Sequence, residues 1–485
     1  MNVKNERNQT FRIMVIGGGI SGLAAAHRLT EIAPQAEVRL IESSERLGGV
    51  LQTTSVDGYL LEHSADNFIV TDELPDAGKL CERLGLASEL LDTNRAHRRA
   101  LILRGRTFYP VPEGLQLMTT PNVWPIIRSG LLSWKGKLRL AAEPWIRQRA
   151  EPEDESLAQF ATRRLGREAY ERLVQPLVAG IFTADPEKLS MQAALPQFVD
   201  MERRYGSLGR AARLRAVEHP EEDQASGARY AMFRAPKLGM QQLVQALEDK
   251  LRRAGVQIDL NRRVATIQRV SQQWQVVFGN GDETFTDALI VATPVAAAAA
   301  LFADVAPKLS QQLRGIRLAS SSVACLAFRQ EQIARPLDAF GAVIPHAEGR
   351  PVLAFSFSSV KFPGRVPHDD EVLIRVFVGG ALQPELADLD DQRLRCCAMS
   401  ELRELWGVTG EPLLYRVFRW KDTMPQFLLG HRERIALIEQ MAGELPTLEL
   451  TGNYFAGVGI PQCIRRGELV ADRVARVAAR RSAGI

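Results

Sequence analysis

Apolar positions along this chain follow two rhythms, a strand-like one and a helical one. Residues 11–16 (FRIMVI) form a short apolar run with β-branched side chains and read as a buried strand. Glycines follow at 17–22 (GGGISG), and LAAAHRLTEI then repeats apolar residues at helical spacing. A second strand is predicted over Glu37–Ile41 and ends at Glu42, so the chain starts with a β-α-β unit. From about 113 to 215 the pattern is helical and Arg-rich, and residues 216–228, polar and acidic, read as a loop. From 237 to 303, KLGMQQLVQALEDKLRRAG predicts a helix, QIDL and WQVVF predict strands, and DALIVATP predicts a buried strand. The runs CLAFR, GAVIP, VLAFSFSS and VLIRVFVGG predict a mixed sheet between 316 and 380. Residues 384–407 and 431–443 read as helical, and the segment from LELTGNYF onward reads strand, turn, long helix.

Composition narrows the class. The chain has 485 residues, which suggests about three structural units. With 46% hydrophobic residues it is not a disordered chain. The 61 Lys+Arg against 57 Asp+Glu leave a net charge of +4, too balanced to point to nucleic acid. Cys81, Cys325, Cys396, Cys397 and Cys463 form no CxxC pair and have no His at ligand spacing, so neither a disulfide framework nor a zinc site is expected. A reducing, cytoplasmic setting fits that usage. The start, MNVKNERNQTFR, is polar and runs into a strand rather than a signal peptide. The longest apolar candidate, Val291–Ala303, is broken by Pro294 and is too short to span a bilayer.

The glycines carry the first chemistry. Gly17 permits a tight turn, Gly19 lets the backbone approach a pyrophosphate, and Gly22 lets helix and strand pack closely. Helix N-terminal N–H groups face the phosphates. Glu42, about 20 residues on, is placed to accept both hydroxyls of an adenosine ribose. Arg46, Gly48 and Gly49 then add a second loop near the pyrophosphate, which suits a permanently held FAD better than an exchanging NAD. The plainer reading is a surface Arg and a hairpin turn. Near the end, Gly457-Val458-Gly459-Ile460-Pro461 opens a long helix whose N-terminus suits the flavin N1/C2 carbonyl edge. Taken alone, that segment reads as an ordinary C-terminal helix.

Together these elements resemble the flavoprotein superfamily of amine oxidases, phytoene desaturases and porphyrinogen oxidases. LVQPLVAGIFTADPEKLSM (173–191), FRAPKLGMQQLVQAL (233–247), RWKDTMPQFLLGH (419–431) and GNYFAGVGIPQCIRRGELVA (452–471) narrow the likeness to protoporphyrinogen and coproporphyrinogen oxidases. The chain departs from that pattern at Ser64-Ala65, where relatives often carry Gly-Pro, at Ala184, and at Gln462. The resemblance implies an α/β fold: a Rossmann-like FAD-binding domain built from segments 1–92, 216–305 and 431–485, a helical subdomain at 93–215, and an α+β substrate domain at 306–430. It implies non-covalent FAD held by Gly17, Gly18, Gly19, Ile20, Ser21, Gly22, Glu42, Ser43, Arg46, Gly49, the turn Ser64, Ala65, Asp66, Asn67, and Val264 beside the adenine. Trp420, Val458, Gly459 and Ile460 are expected near the isoalloxazine; Trp420 reads equally well as a core aromatic.

On the substrate side the resemblance implies Arg99 for a propionate, Gly180 as a floor, and Val343, Ser356 and Phe377 against the macrocycle. Most arginines of the 95–106 stretch also read as a solvated basic loop, and the apolar strand residues as plain core. The implied reaction is dehydrogenation of a porphyrinogen in three two-electron steps with FAD and dioxygen, releasing hydrogen peroxide, in haem biosynthesis. Coproporphyrinogen III and protoporphyrinogen IX both remain open as substrates. A ferrochelatase is a candidate partner. The seven His lie in no catalytic constellation, so no general base is assigned. Residues 113–147 combine Trp124, Trp134 and Trp145 with Lys135, Lys137 and Arg139, and suit either a peripheral membrane contact or a helix packed on the core. An amine oxidase, a carotenoid desaturase and a non-enzymatic protein on the same fold are the competing readings.

Overall fold

The computed structural model describes residues 10–149, 153–218 and 232–482. Its centre is a five-stranded parallel sheet gathered from five separated segments, in the order Gln257–Asp259, Glu37–Ile41, Arg12–Ile16, Ala288–Val291, Leu448–Leu450. The inner strands are mainly apolar because both faces are covered, one by helices and the other by the strands Val264–Val270 and Gln273–Phe278 with the helix Val295–Leu301. The helix Ile20–Ile32 lies on one face; its Leu23, Ala24, Ala25, Ala26 and Leu29 are fully buried. The last helix, Ile460–Ser482, packs along it so closely that a Cβ at Gly467 would overlap the Ser21 carbonyl. Each large apolar side chain buried there contributes roughly 1.5–3 kcal/mol.

A second, seven-stranded sheet runs in the order Leu414–Pro425, Leu318–Arg329, Glu371–Gly379, Val352–Phe357, Gly341–Val343, Leu101–Arg104, Thr107–Pro110. Its neighbours are antiparallel except for Gly341–Val343 beside Leu101–Arg104. Helix Asp391–Trp406, capped at its start by the Asp390 side chain, covers one face and meets Ala324, Leu326, Phe355, Phe357, Ile374 and Val376. Strand alternation therefore sends Val323, Cys325, Arg375, Phe377, Ser356 and Val343 to the opposite face. The hairpin Leu101–Pro110 was expected within the helical segment 93–215. It instead extends this sheet, because Leu101 and Leu103 alternate into the same helix-covered core.

The described residues between Trp124 and Glu218 are mostly helical around a core that includes Leu131, Phe160, Leu177, Phe182 and Phe198. The run from Arg167 to Phe182 passes through a π-helical turn at Tyr170–Val174. Pro176 follows it and lacks the N–H that would reach the carbonyl of residue 172, so the hydrogen-bond ladder resets there. Helix Leu208–Glu218 runs three residues into the expected loop at 216–228; its remainder lies outside the described residues. No helix among the described residues is long and apolar enough to cross a membrane.

Candidate functional site

The turn after the first strand is shaped by the absence of side chains. A Cβ at Gly17 would stand 2.6 Å from the Ala292 carbonyl oxygen, and one at Gly22 would overlap the Gly17 carbonyl. At Gly19, by contrast, a Cβ meets nothing within 4 Å, so the turn opens onto free space. The second loop closes beside it: Gly48 N donates to Gly18 O at 2.8 Å, and Gly49 approaches Gly19. Glu42 accepts from Gly18 N at 2.7 Å through one oxygen, and from Ser44 N at 2.8 Å and Ser43 Oγ at 3.2 Å through the other. Arg46 turns its guanidinium onto the carbonyls of Leu47, Gly49 and Leu51, and so braces its own loop. The segment leading to Val264 runs directly alongside, with Arg262 N donating to Glu42 O and Asn261 N to Ser44 O, both at 2.9 Å. A carboxylate, an open glycine and the first N–H groups of the helix Ile20–Ile32 converge here. That donor set fits the adenosine and pyrophosphate of FAD.

The turn Ser64–Asn67 joins this cradle to the seven-stranded sheet. His63 stacks on Phe418 with ring centroids 3.7 Å apart, and its ring meets Thr54 Oγ at 2.7 Å. Its carbonyl accepts the Trp420 indole N–H at 2.7 Å, which brings Trp420 beside the turn. Burial, with Arg46 and Arg375 nearby, pushes the His63 imidazole down to about 4. Burial opposes charge on Asp66, but Lys361 and Arg375 outweigh it and hold the carboxyl down at about 2. Burial pushes Glu62 up to about 7, against hydrogen bonds from Thr53 Oγ and Met240 N.

On the sheet face, Phe377, Ser356 and Val343 share one side and are half-buried. Gly180, near the end of helix Gln175–Phe182, would place a Cβ 3.9 Å from Val343 and otherwise in open space. Val343 and Val458 pack on the same helical core, so the 457–460 turn comes to the Gly180 side. Ile460 is buried with the first helix. The arginines of the 95–106 stretch are dispersed. Arg99 pairs with Asp338, Arg98 donates to Thr93, Arg104 donates to the Gly130 carbonyl, and Arg106 is solvated beside Glu404. Cys463 is buried, with its thiol pushed up to about 11 by that burial, which suits a non-covalent flavin. A cavity of about 730 Å³ lies elsewhere, between the helical region and helix His431–Gly443, and is lined at one end by Phe455 and Ala456, just before the 457–460 turn.

Arg375 and Lys361 escaped the sequence reading. The available signal was an Arg inside the apolar strand VLIRVFVGG, where an unpaired charge is costly.

Comparison with known proteins is consistent with this geometry. The family model described as flavin containing amine oxidoreductase matches residues 20–475. A coproporphyrinogen III oxidase of Propionibacterium freudenreichii subsp. freudenreichii is 34% identical over 95% of this chain and 90% of its own length. One from Bacillus subtilis (strain 168) is 31% identical over 94% of this chain and 96% of its own. A crystal structure from Exiguobacterium sp. 255-15, named as a candidate protoporphyrinogen oxidase, superposes with a TM-score of 0.84 at 26% identity, covering 97% of this chain and 99% of that one.

Proposed function

Because the chain belongs to the flavin containing amine oxidoreductase family, we propose that it oxidises a porphyrinogen, coproporphyrinogen III ahead of protoporphyrinogen IX, to the porphyrin. The observation that carries this reading is the junction at His63–Asn67, where a nucleotide cradle meets a half-buried sheet face floored by an open glycine. FAD, held by Gly17–Gly22, Glu42, Ser43, the Arg46–Gly49 loop, Ser64–Asn67 and Val264, supplies the hydride acceptor and the reaction with dioxygen that yields hydrogen peroxide. The protein's part is placement. Gly180 leaves room for a flat ring, Val343 and Phe377 exclude water from its faces, and Trp420 and the Val458–Ile460 turn border the redox end. Arg99 binds a propionate by exchanging it for Asp338 at equal charge. No side chain is assigned as a base.

The test is porphyrin fluorescence when each porphyrinogen is supplied to purified protein in air. Faster appearance of coproporphyrin supports the reading. Preference for protoporphyrinogen IX overturns the substrate order, and oxidation of neither overturns the activity.

We propose further that the helical region touches an anionic membrane surface. Trp124, Trp134, Leu138 and Trp145 are 62–81% exposed, and Lys137 lies 5.0 Å from the Trp134 ring centroid. Aromatic side chains flanked by lysines match a headgroup boundary. Trp134→Ala with Trp145→Ala is expected to weaken binding to phosphatidylglycerol vesicles about thirtyfold or more in a sedimentation assay, since each buried indole is worth about a kcal/mol or more. Equal sedimentation of both proteins removes the proposal.

A further inference from the structure

Two cations reach the Ser64–Asn67 turn from a distant part of the chain. Arg375 sits mid-strand, opposite Cys325 on one neighbouring strand and Ser356 on the other. Its guanidinium is 2% exposed. One terminal nitrogen donates to the Ser64 carbonyl, and the other stands 3.4 Å from Asp66 Oδ2. The same guanidinium lies 5.0 Å from the Phe377 ring centroid, and its Nε is buried without a partner among the described residues. Lys361, at the end of the short helix Ser358–Lys361, donates to both Asp66 oxygens, at 3.1 and 3.3 Å.

Packing alone does not account for this arrangement. An apolar residue of similar volume between Ile374 and Val376 would avoid the desolvation penalty of a buried guanidinium. Nor does charge pairing, since two cations face one carboxylate. Nearby, Arg365 adds a third buried cation, donating to the Lys237 and Pro236 carbonyls. Glu62, whose carboxyl is pushed up by burial, offsets it only in part. The cluster therefore holds surplus positive charge in a region sealed from water, where charge acts over longer range than in solvent.

We propose that Arg375 and Lys361 are positioning residues: they clamp the Ser64–Asn67 turn to the strand bearing Phe377 and hold a net positive charge behind it that favours the reduced, anionic flavin. This rests on the reading above that FAD lies against that turn. Arg375 links the cofactor side, through Ser64 and Asp66, with the substrate side, through Phe377 and its cross-strand neighbour Ser356.

The experiment is dye-coupled measurement of the flavin two-electron midpoint potential in purified holoenzyme, alongside the FAD dissociation constant. Arg375→Met and Lys361→Met are each expected to shift the equilibrium tenfold toward oxidised flavin, about 30 mV. Asp66→Asn, which removes the negative charge, is expected to shift it by a similar factor the other way. Arg375→Lys is expected to return the potential to within threefold of the native equilibrium. A purely structural role predicts that Arg375→Met and Asp66→Asn loosen FAD alike and move the potential in the same direction. That result, or unmoved potentials with FAD retained, overturns the proposal. If Arg375→Met does not fold, Lys361→Met, at a more accessible position, decides it. Native protein that retains no flavin would instead sink the FAD reading on which the proposal stands.

Discussion

The glycine cradle, where we place the nucleotide, and the half-buried sheet face, where we place the substrate, are built on opposite principles. The cradle is backbone against backbone: Gly17 N donates to Ile41 O and Gly48 N to Gly18 O, each at 2.8 Å, and Gly22 rests on the Gly17 carbonyl. The sheet face is side chain beside side chain, with Val343, Ser356 and Phe377 on three strands and Gly180 on a helix end. In the cradle, shape comes from what is missing; on the face, it comes from what projects. Added carbon atoms should therefore destroy the first region and merely fill the second.

The sharpest way to break this contrast is Gly22→Val. The new Cβ has no room beside the Gly17 carbonyl, and overpacking of this kind costs about 1–3 kcal/mol or more. We expect more than tenfold loss of bound flavin, read as absorbance near ~450 nm per protein, and a lower Tm. Gly180→Leu is the counterpart. Its Cβ enters open space 3.9 Å from Val343, so the fold and flavin content should persist while porphyrin formation falls about a hundredfold or more. If Gly180→Leu lost flavin and Gly22→Val kept it, the two regions would have been assigned backwards. Smaller again is Glu42→Gln. The amide keeps the shape of the acid but gives a weaker acceptor, and a charged hydrogen bond is worth about 1.5–3 kcal/mol. FAD should dissociate about ten- to a hundredfold more readily, with the kcat of fully loaded enzyme unchanged.

The same contrast explains what the sequence revealed. The cradle was legible because its determinants lie within some thirty residues: glycines at fixed spacing between a strand and a helix, then a carboxylate at the next strand end. In the structure Gly17, Gly22, Glu42 and the Gly48–Gly49 loop come together at one turn. The sheet strands were legible as apolar runs, but their partners were not. Nothing local in Leu101–Pro110 states that it pairs in parallel with Ala342–Val343. Arg375 reaches a carbonyl 311 positions away, and the Trp420 indole reaches one 357 positions away. Contacts of that span are set by tertiary packing, and periodicity carries no record of them. Even the arginines of 95–106, grouped in sequence, are separated by the fold: one pairs with Asp338, one braces Gly130, and one is left in solvent.

The gentlest test acts on the junction between the two regions. His63 is neutral when folded, its imidazole pushed from 6.5 down to about 4, first by burial and then by Arg46 and Arg375. As pH falls below 6.5 the unfolded chain takes up a proton there and the folded chain does not. Stability should therefore decline from about pH 6.5 to about pH 4 and flatten below it, as far as this group is concerned. Allowing for partial solvent screening, the loss is about 1–2 kcal/mol. Asp66 acts in a lower window with the opposite chemistry: its carboxyl is held at about 2, so its contribution is present above 3.8 and is lost as pH falls through about 2. His63→Leu should flatten the upper part of a Tm-against-pH curve and leave the lower part in place, while Asp66→Asn should do the reverse. A His63→Leu protein with an unchanged slope between pH 6.5 and 4 would show that His63 takes up its proton in the folded protein as readily as in the unfolded chain, so that the junction does not exclude it. The acid sensitivity would then be sought at His431, stacked on Phe427 and held at about 4 chiefly by burial, and at His27, also lowered by burial.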